Sequence, residues 1–232
     1  MTNSISVTTI STSPPSFDSD RVAEALAAVR RRIAAAGGDV DAVRVVAVTK
    51  GFGLDAVLAA RRAGLSDIGE NYAAELLAKA PGPEGTSWHF LGAVQRNKVG
   101  PLAPLVSLWQ GVARISEGER IARFTPSARV LVQVDCTNVA GRNGASVHDT
   151  APLVAQLRAL GLDVAGLMTV APPEHDAADR AFGEVDRLAK ELGLEERSMG
   201  MSDDLELAVA HGSTMVRIGR ALFGERLQPA RA

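Results

Sequence analysis

The sequence predicts an α/β protein: a single (β/α)8 barrel of the TIM-barrel type, with one extra helix on its N-terminal side. Three observations point there. Eight short β-branched or apolar runs alternate with longer Ala/Leu/Arg/Glu stretches at helical spacing. Gly64, Gly161, Gly193 and Gly212 stand where helical stretches should stop. The chain has 232 residues, enough for one such barrel, and no linker divides them. A doubly wound sheet is the competing arrangement. Its dinucleotide-binding form is disfavoured, because no G-x-G-x-x-G follows the first strand.

The elements follow in order. Residues 1–16 are rich in Ser, Thr and Pro and read as a disordered tail, leaving 17–232 as the barrel domain. Residues 20–36 read as the opening helix, with Asp18 or Ser19 as its cap. Strands are expected over 43–49, 65–69, 87–91, 106–110, 129–135, 164–169, 196–199 and 214–218. Val43 to Thr49 and Val130 to Val134 carry the strongest signal, as largely apolar runs, interrupted by Arg44 and Gln133, suited to strands buried on both faces. Helices are expected over 54–63, 70–80, 95–103, 117–124, 146–160, 175–192 and 203–211. The Pro/Gly stretch 80–85 reads as a loop.

Charge and composition narrow the function classes. Asp plus Glu number 27 and Lys plus Arg 25, so bulk charge recruits neither nucleic acid nor a membrane surface. The one cysteine, Cys136, excludes an internal disulfide and fits a reducing compartment. No secretory signal or membrane-length apolar run is visible, so the cytoplasm is the expected location. Tyr72 is the sole tyrosine, which limits the acid–base groups available.

The chemistry gathers where strands end. Arg44-Val-Val-Ala-Val-Thr-Lys50 closes an apolar strand with a lysine. In a barrel, such an end opens into the active site, where an apolar setting favours the neutral, nucleophilic amine. A lysine simply leaving the strand into solvent is the plainer alternative. Gly69-Glu-Asn-Tyr72 places Asn71 at the next strand's end, suited to a ring hydroxyl or a phosphate. His89, in Trp88-His-Phe-Leu-Gly92, is read as a hydrogen-bonded core residue before a proton carrier. Met168, in Gly166-Leu-Met-Thr169, is read first as a gap-filler. Ser198-Met-Gly-Met-Ser-Asp-Asp204 precedes a helix, and Ser202 fits either its N-cap or a phosphate ligand. Val216-Arg-Ile-Gly219 puts Arg217 at the last strand, with Gly219 and Arg220 opening a turn. A Schiff-base lysine and a phosphate cradle at one rim together fit a ligand with an aldehyde and a phosphate.

These motifs, with Gln95-Arg-Asn-Lys98, resemble the pyridoxal 5′-phosphate (PLP) homeostasis family, relatives of the alanine racemase N-terminal barrel, over about residues 18–227. The resemblance implies that Lys50 holds PLP as a lysine aldimine. It implies that Arg217 faces the pyridine nitrogen, that Ser202 and the backbone of Gly219 and Arg220 hold the phosphate, and that Asn71 lines the pocket. Met168, His89 and Ser198 are further neighbours. Two departures stand out. Ala93-Val94 replaces the family's usual pair after the glycine, and Arg220 replaces a frequent threonine.

The same resemblance implies buffering or delivery of PLP with little or no turnover. PLP-dependent apoenzymes are the implied recipients, and a monomer or a weak dimer the implied assembly. A cationic Arg217 weakens the cofactor as an electron sink. The racemase's second domain, with its tyrosine base, has no counterpart after Gly224. An amino-acid racemase using His89 or Tyr72 as a second base is the enzyme alternative. A Schiff-base aldolase acting on a sugar phosphate is the other.

Overall fold

The computed structural model describes residues 17–137, 139 and 141–225. The expected tail over 1–16 lies outside the described residues, as do the last seven residues. Eight parallel strands close a ring: β1 (Arg44–Val48), β2 (Asp67–Glu70), β3 (Ser87–Phe90), β4 (Val106–Val112), β5 (Arg129–Asp135), β7 (Asp163–Met168), β8 (Glu196–Ser198) and β9 (Met215–Ile218). The β1–β9 and β4–β5 pairings complete the closure. A two-residue strand, β6 (Ala145–Ser146), adds to the end of β5. The expected (β/α)8 barrel is therefore the fold.

Helix α1 (Ser19–Ala35) precedes β1. The others are α2 (Leu54–Arg62), α3 (Ala73–Lys79), α4 (Val99–Leu102), α5 (Ile115–Phe124), α6 (Val147–Ala159), α7 (His175–Glu191), α8 (Leu205–Ala210) and α9 (Arg220–Phe223). Asp18 caps α1, its carboxylate accepting the Asp20 N–H at 2.9 Å. The stripe Val22, Leu26, Val29 and Ile33 is buried at helical spacing. Burying each of these side chains is worth about 1.5–3 kcal/mol.

Alternate strand residues divide between two apolar cores. Val45, Ala47, Val216 and Ile218 face outward into the layer beneath the helices. Val46, Leu108, Leu131, Met168 and Met215 fill the lumen. Strands buried on both faces explain the largely apolar runs.

Three expectations change. The helix expected over 95–103 is confined to Val99–Leu102. Pro101 has no N–H to return to Asn97, so it fits only a first turn. Glu70, expected in a helix, instead ends β2, paired with Phe90 and fully buried. Two short elements, β6 and α9, were not among the expected ones. No helix among the described residues is long and apolar enough to cross a membrane.

Candidate functional site

Because all eight strands run parallel, their C-terminal ends share one rim. Lys50 lies two residues beyond β1 and is half-buried. β1 stands between β2 and β9. Asn71 therefore flanks the lysine on one side and Gly219 on the other, with Ser202 beyond β8 next in line. Gly219 lies against β1, where an added Cβ would come 3.3 Å from the Val48 carbonyl.

Ser202 has a different role from the expected cap of its own helix. The N-cap of α8 is Asp204, whose carboxylate accepts the Met201 N–H at 2.6 Å. The Ser202 hydroxyl instead accepts the Ala221 N–H, 3.2 Å away in the first turn of α9. That bond sets Ser202 beside the first turn of α9, whose opening N–H groups lack partners within the helix. The Arg220 side chain points elsewhere, bonded to Asp203 and 3.8 Å from Glu225. Arg32 of α1 ties this loop down. It donates to the Ser202 carbonyl at 2.9 Å and to both Glu206 oxygens at 2.5 and 2.7 Å.

Below the rim, a polar chain crosses the lumen. Arg217 donates to the Ser198 carbonyl at 2.6 Å, the Ser198 hydroxyl at 2.9 Å and the Thr169 carbonyl at 2.7 Å. Ser198 Oγ donates to Gln110 Oε1 at 2.6 Å. Gln110 Nε2 sits 2.8 Å from His89 Nδ1, and His89 Nε2 sits 3.0 Å from Asp67 Oδ1. An ionised Asp67 can only accept, so His89 carries its proton on Nε2 and Nδ1 accepts from Gln110. Every bond then runs in one direction, from the guanidinium to the carboxylate.

Burial brings the Arg217 guanidinium down to about 10, with the Asp204 carboxylate working against it. It remains cationic at neutral pH. Partial burial alone pushes the Asp67 carboxyl up, but the hydrogen bonds from His89 and Ser87 and the nearby Arg44 charge outweigh it and hold Asp67 below the usual carboxylate range.

His89, Met168 and Ser198 thus lie inside the barrel, each at most 2% exposed. His89 is hydrogen-bonded within the lumen, and Met168 packs in its apolar core. Tyr72 is 58% exposed at the start of α3. Gly92 is fixed by its neighbour, since a Cβ there would lie 2.0 Å from the Asn71 carbonyl oxygen. A cleft of about 700 Å3 opens beside the rim, with Gly51, Phe52, Arg220 and Phe223 in its walls.

Sequence reasoning did not single out Asp67, Gln110 or Arg32. Gln110 had a usable signal: it follows Leu108 at period two, so one lumen residue implies the other. Asp67 and Arg32 carry none, since their partners are distant in sequence.

The family model of the alanine racemase N-terminal domain matches residues 18–227. The Pyridoxal phosphate homeostasis protein of Pseudomonas aeruginosa is 37% identical over 218 residues, covering 89% of this chain and 95% of that one. Its namesake in Deinococcus radiodurans is 40% identical over 207 residues, covering 85% and 97%. The structure of PipY from Synechococcus elongatus with PLP bound matches with a TM-score of 0.75 at 30% identity, covering 88% of this chain and 100% of that one. Alanine racemase from Corynebacterium glutamicum shares the fold, with a TM-score of 0.71 at 16% identity, over 90% of this chain and 62% of that one. The chain belongs to the alanine racemase N-terminal domain family and, within it, to the pyridoxal phosphate homeostasis proteins.

Proposed function

We propose that this chain binds PLP at the rim and serves PLP homeostasis, buffering or delivering the molecule with little or no turnover. The carrying observation is the placement of Lys50 between Asn71 and the Ser202–α9 cradle. The donor set suits the molecule. The Lys50 amine suits an aldehyde, and the Ser202 hydroxyl with the Gly219 and Arg220 N–H groups suits a phosphate. When bound, PLP supplies an aldehyde that condenses reversibly with an amine, releasing one water. Lys50 is then the covalent anchor, Asn71 lines the pocket, and Arg217 faces the ring nitrogen. Met168, His89 and Ser198 support the site from within the lumen. Arg220 contributes through its backbone, since its side chain is engaged by Asp203.

Two features favour holding over turnover. Arg217 is cationic at neutral pH and held by three acceptors, so it cannot take up the proton of a protonated ring. The two candidate second bases are badly placed. Both His89 ring nitrogens are bonded within the lumen, and Tyr72 is largely exposed. Apoenzymes that need PLP are the recipients, the cytoplasm the location, and a monomer or weak dimer the assembly.

The test starts with the absorbance spectrum of the purified protein, before and after borohydride. A yellow protein whose absorbance shifts, with mass added at Lys50, is expected. Lys50→Ala should abolish the added mass while leaving weak phosphate-anchored binding. Rapid Cα–H exchange and racemisation of amino acids in deuterated water would sink the carrier reading in favour of the racemase. A colourless protein trapped only with a sugar phosphate would favour the aldolase.

A further inference from the structure

We propose that Glu70, Glu75 and Lys79 form a positioning clamp that fixes the backbone on both sides of Lys50; this deepens, and rests on, the reading of Lys50 as the covalent anchor. Lys79 Nζ donates to the Thr49 carbonyl at 2.8 Å, one residue before Lys50. The Thr49 hydroxyl donates to Glu70 Oε1 at 2.5 Å, and the same oxygen pairs with Lys79 at 2.6 Å. One residue after Lys50, the Gly51 N–H donates to Glu75 Oε2 at 2.7 Å. That oxygen also lies 3.2 Å from Lys79 Nζ. One ammonium therefore holds the Thr49 carbonyl directly and links the two carboxylates, Glu70 holding the Thr49 hydroxyl and Glu75 the Gly51 N–H.

All three groups come from the β2–α3 segment, so the neighbouring βα unit sets where the Lys50 side chain begins. The arrangement is expensive to build. Lys79 is 6% exposed and Glu70 fully buried, with its Oε2 unpartnered. Burial raises the Glu70 carboxyl, opposed by the bonds from Lys79 and Thr49. A buried ion pair is weak as a stability device, because desolvation consumes its Coulomb gain. What this pair does deliver is two hydrogen bonds to Thr49, at its carbonyl and its hydroxyl, that a hydrophobic pair of the same volume would lack. A reacting amine depends on such placement, since a shift of about 1 Å can cost on the order of a hundredfold in rate.

The test uses full-length, cofactor-free protein and two readouts. Hydrogen exchange follows the Gly51 amide, and reaction with pyridoxal follows covalent attachment at Lys50. Glu75→Ala should speed Gly51 exchange on the order of tenfold or more, and Glu75→Gln, which keeps an acceptor, should restore it. The double variant Glu70→Gln/Lys79→Met removes both buried charges together and so avoids the uncompensated buried carboxylate that Lys79→Met alone would leave. It should still slow attachment at Lys50 on the order of tenfold. Gly51 exchange unchanged in Glu75→Ala, or wild-type attachment in the double variant, would overturn the clamp. Wild-type protein that is never labelled at Lys50 would overturn the proposed function, while the exchange readout still decides the clamp.

Discussion

The polar chain through the lumen makes a sharp prediction at Gln110. Replacing Gln110 by Leu keeps roughly the same volume and removes the amide. The side chain is fully buried, so water does not replace what is lost. His89 Nδ1 loses its donor, 2.8 Å away, and the Ser198 hydroxyl loses its acceptor, 2.6 Å away. The 3.1 Å contact to the Met215 sulfur is weak and contributes little. Each stranded buried group costs about 1–3 kcal/mol, giving roughly 2–6 kcal/mol in all. Leucine recovers part of this through apolar burial, so the net loss should be about 2–4 kcal/mol. Urea unfolding at neutral pH measures it, with an unchanged m-value as the check. A cycle with Ser198→Ala isolates the coupling. Once Gln110 is gone the hydroxyl is already stranded, so its removal should cost about 1–2 kcal/mol less than in wild type. A Gln110→Leu protein within about 0.5 kcal/mol of wild type, or an additive cycle, would refute the continuous chain.

Three further outcomes follow from particular contacts. The Asp67 carboxyl is held below its ordinary range, so its contribution to stability is present above the unfolded value near pH 4 and lost as pH falls through the folded value. Asp67→Asn should therefore destabilise at pH 7 and progressively less as the pH falls through the folded value; a loss independent of pH would exclude the His89 pairing. The Cys136 thiol is pushed up to about 11 by burial, with the Thr169 contact opposing. A disulfide reagent at pH 8 should react about a hundredfold more slowly with native than with unfolded protein, and comparable rates would contradict that burial. Gly92→Ala would drive a methyl to 2.0 Å from the Asn71 carbonyl oxygen, so a loop must move. The variant should unfold at lower urea and hold PLP less tightly than wild type, both measurable in one titration series.

Much of the fold was legible because a closed parallel barrel imposes a repeating local pattern. Buried strands must be apolar on both faces, as in Val45–Val48 and Val130–Val134, and helices must stop, as at Gly161 and Gly193. Elements without such a signature escaped. α9 is four residues long, β6 is two, and Glu70 looked helical until β3 paired with it. The sequence by itself determined the strand–helix alternation, the order of the motifs and a lysine at the end of the first strand. Tertiary structure alone decided that Ser202 faces α9 instead of capping α8, and that the Arg220 side chain is spent on Asp203. It alone joined Asp67, His89, Gln110, Ser198 and Arg217 into one chain of bonds, and set Glu75 and Lys79 around Lys50. The physical reason is the same in each case. A polar side chain's role is set by the partner it meets, and most of these partners lie tens of residues away, brought close only when the sheet closes on itself.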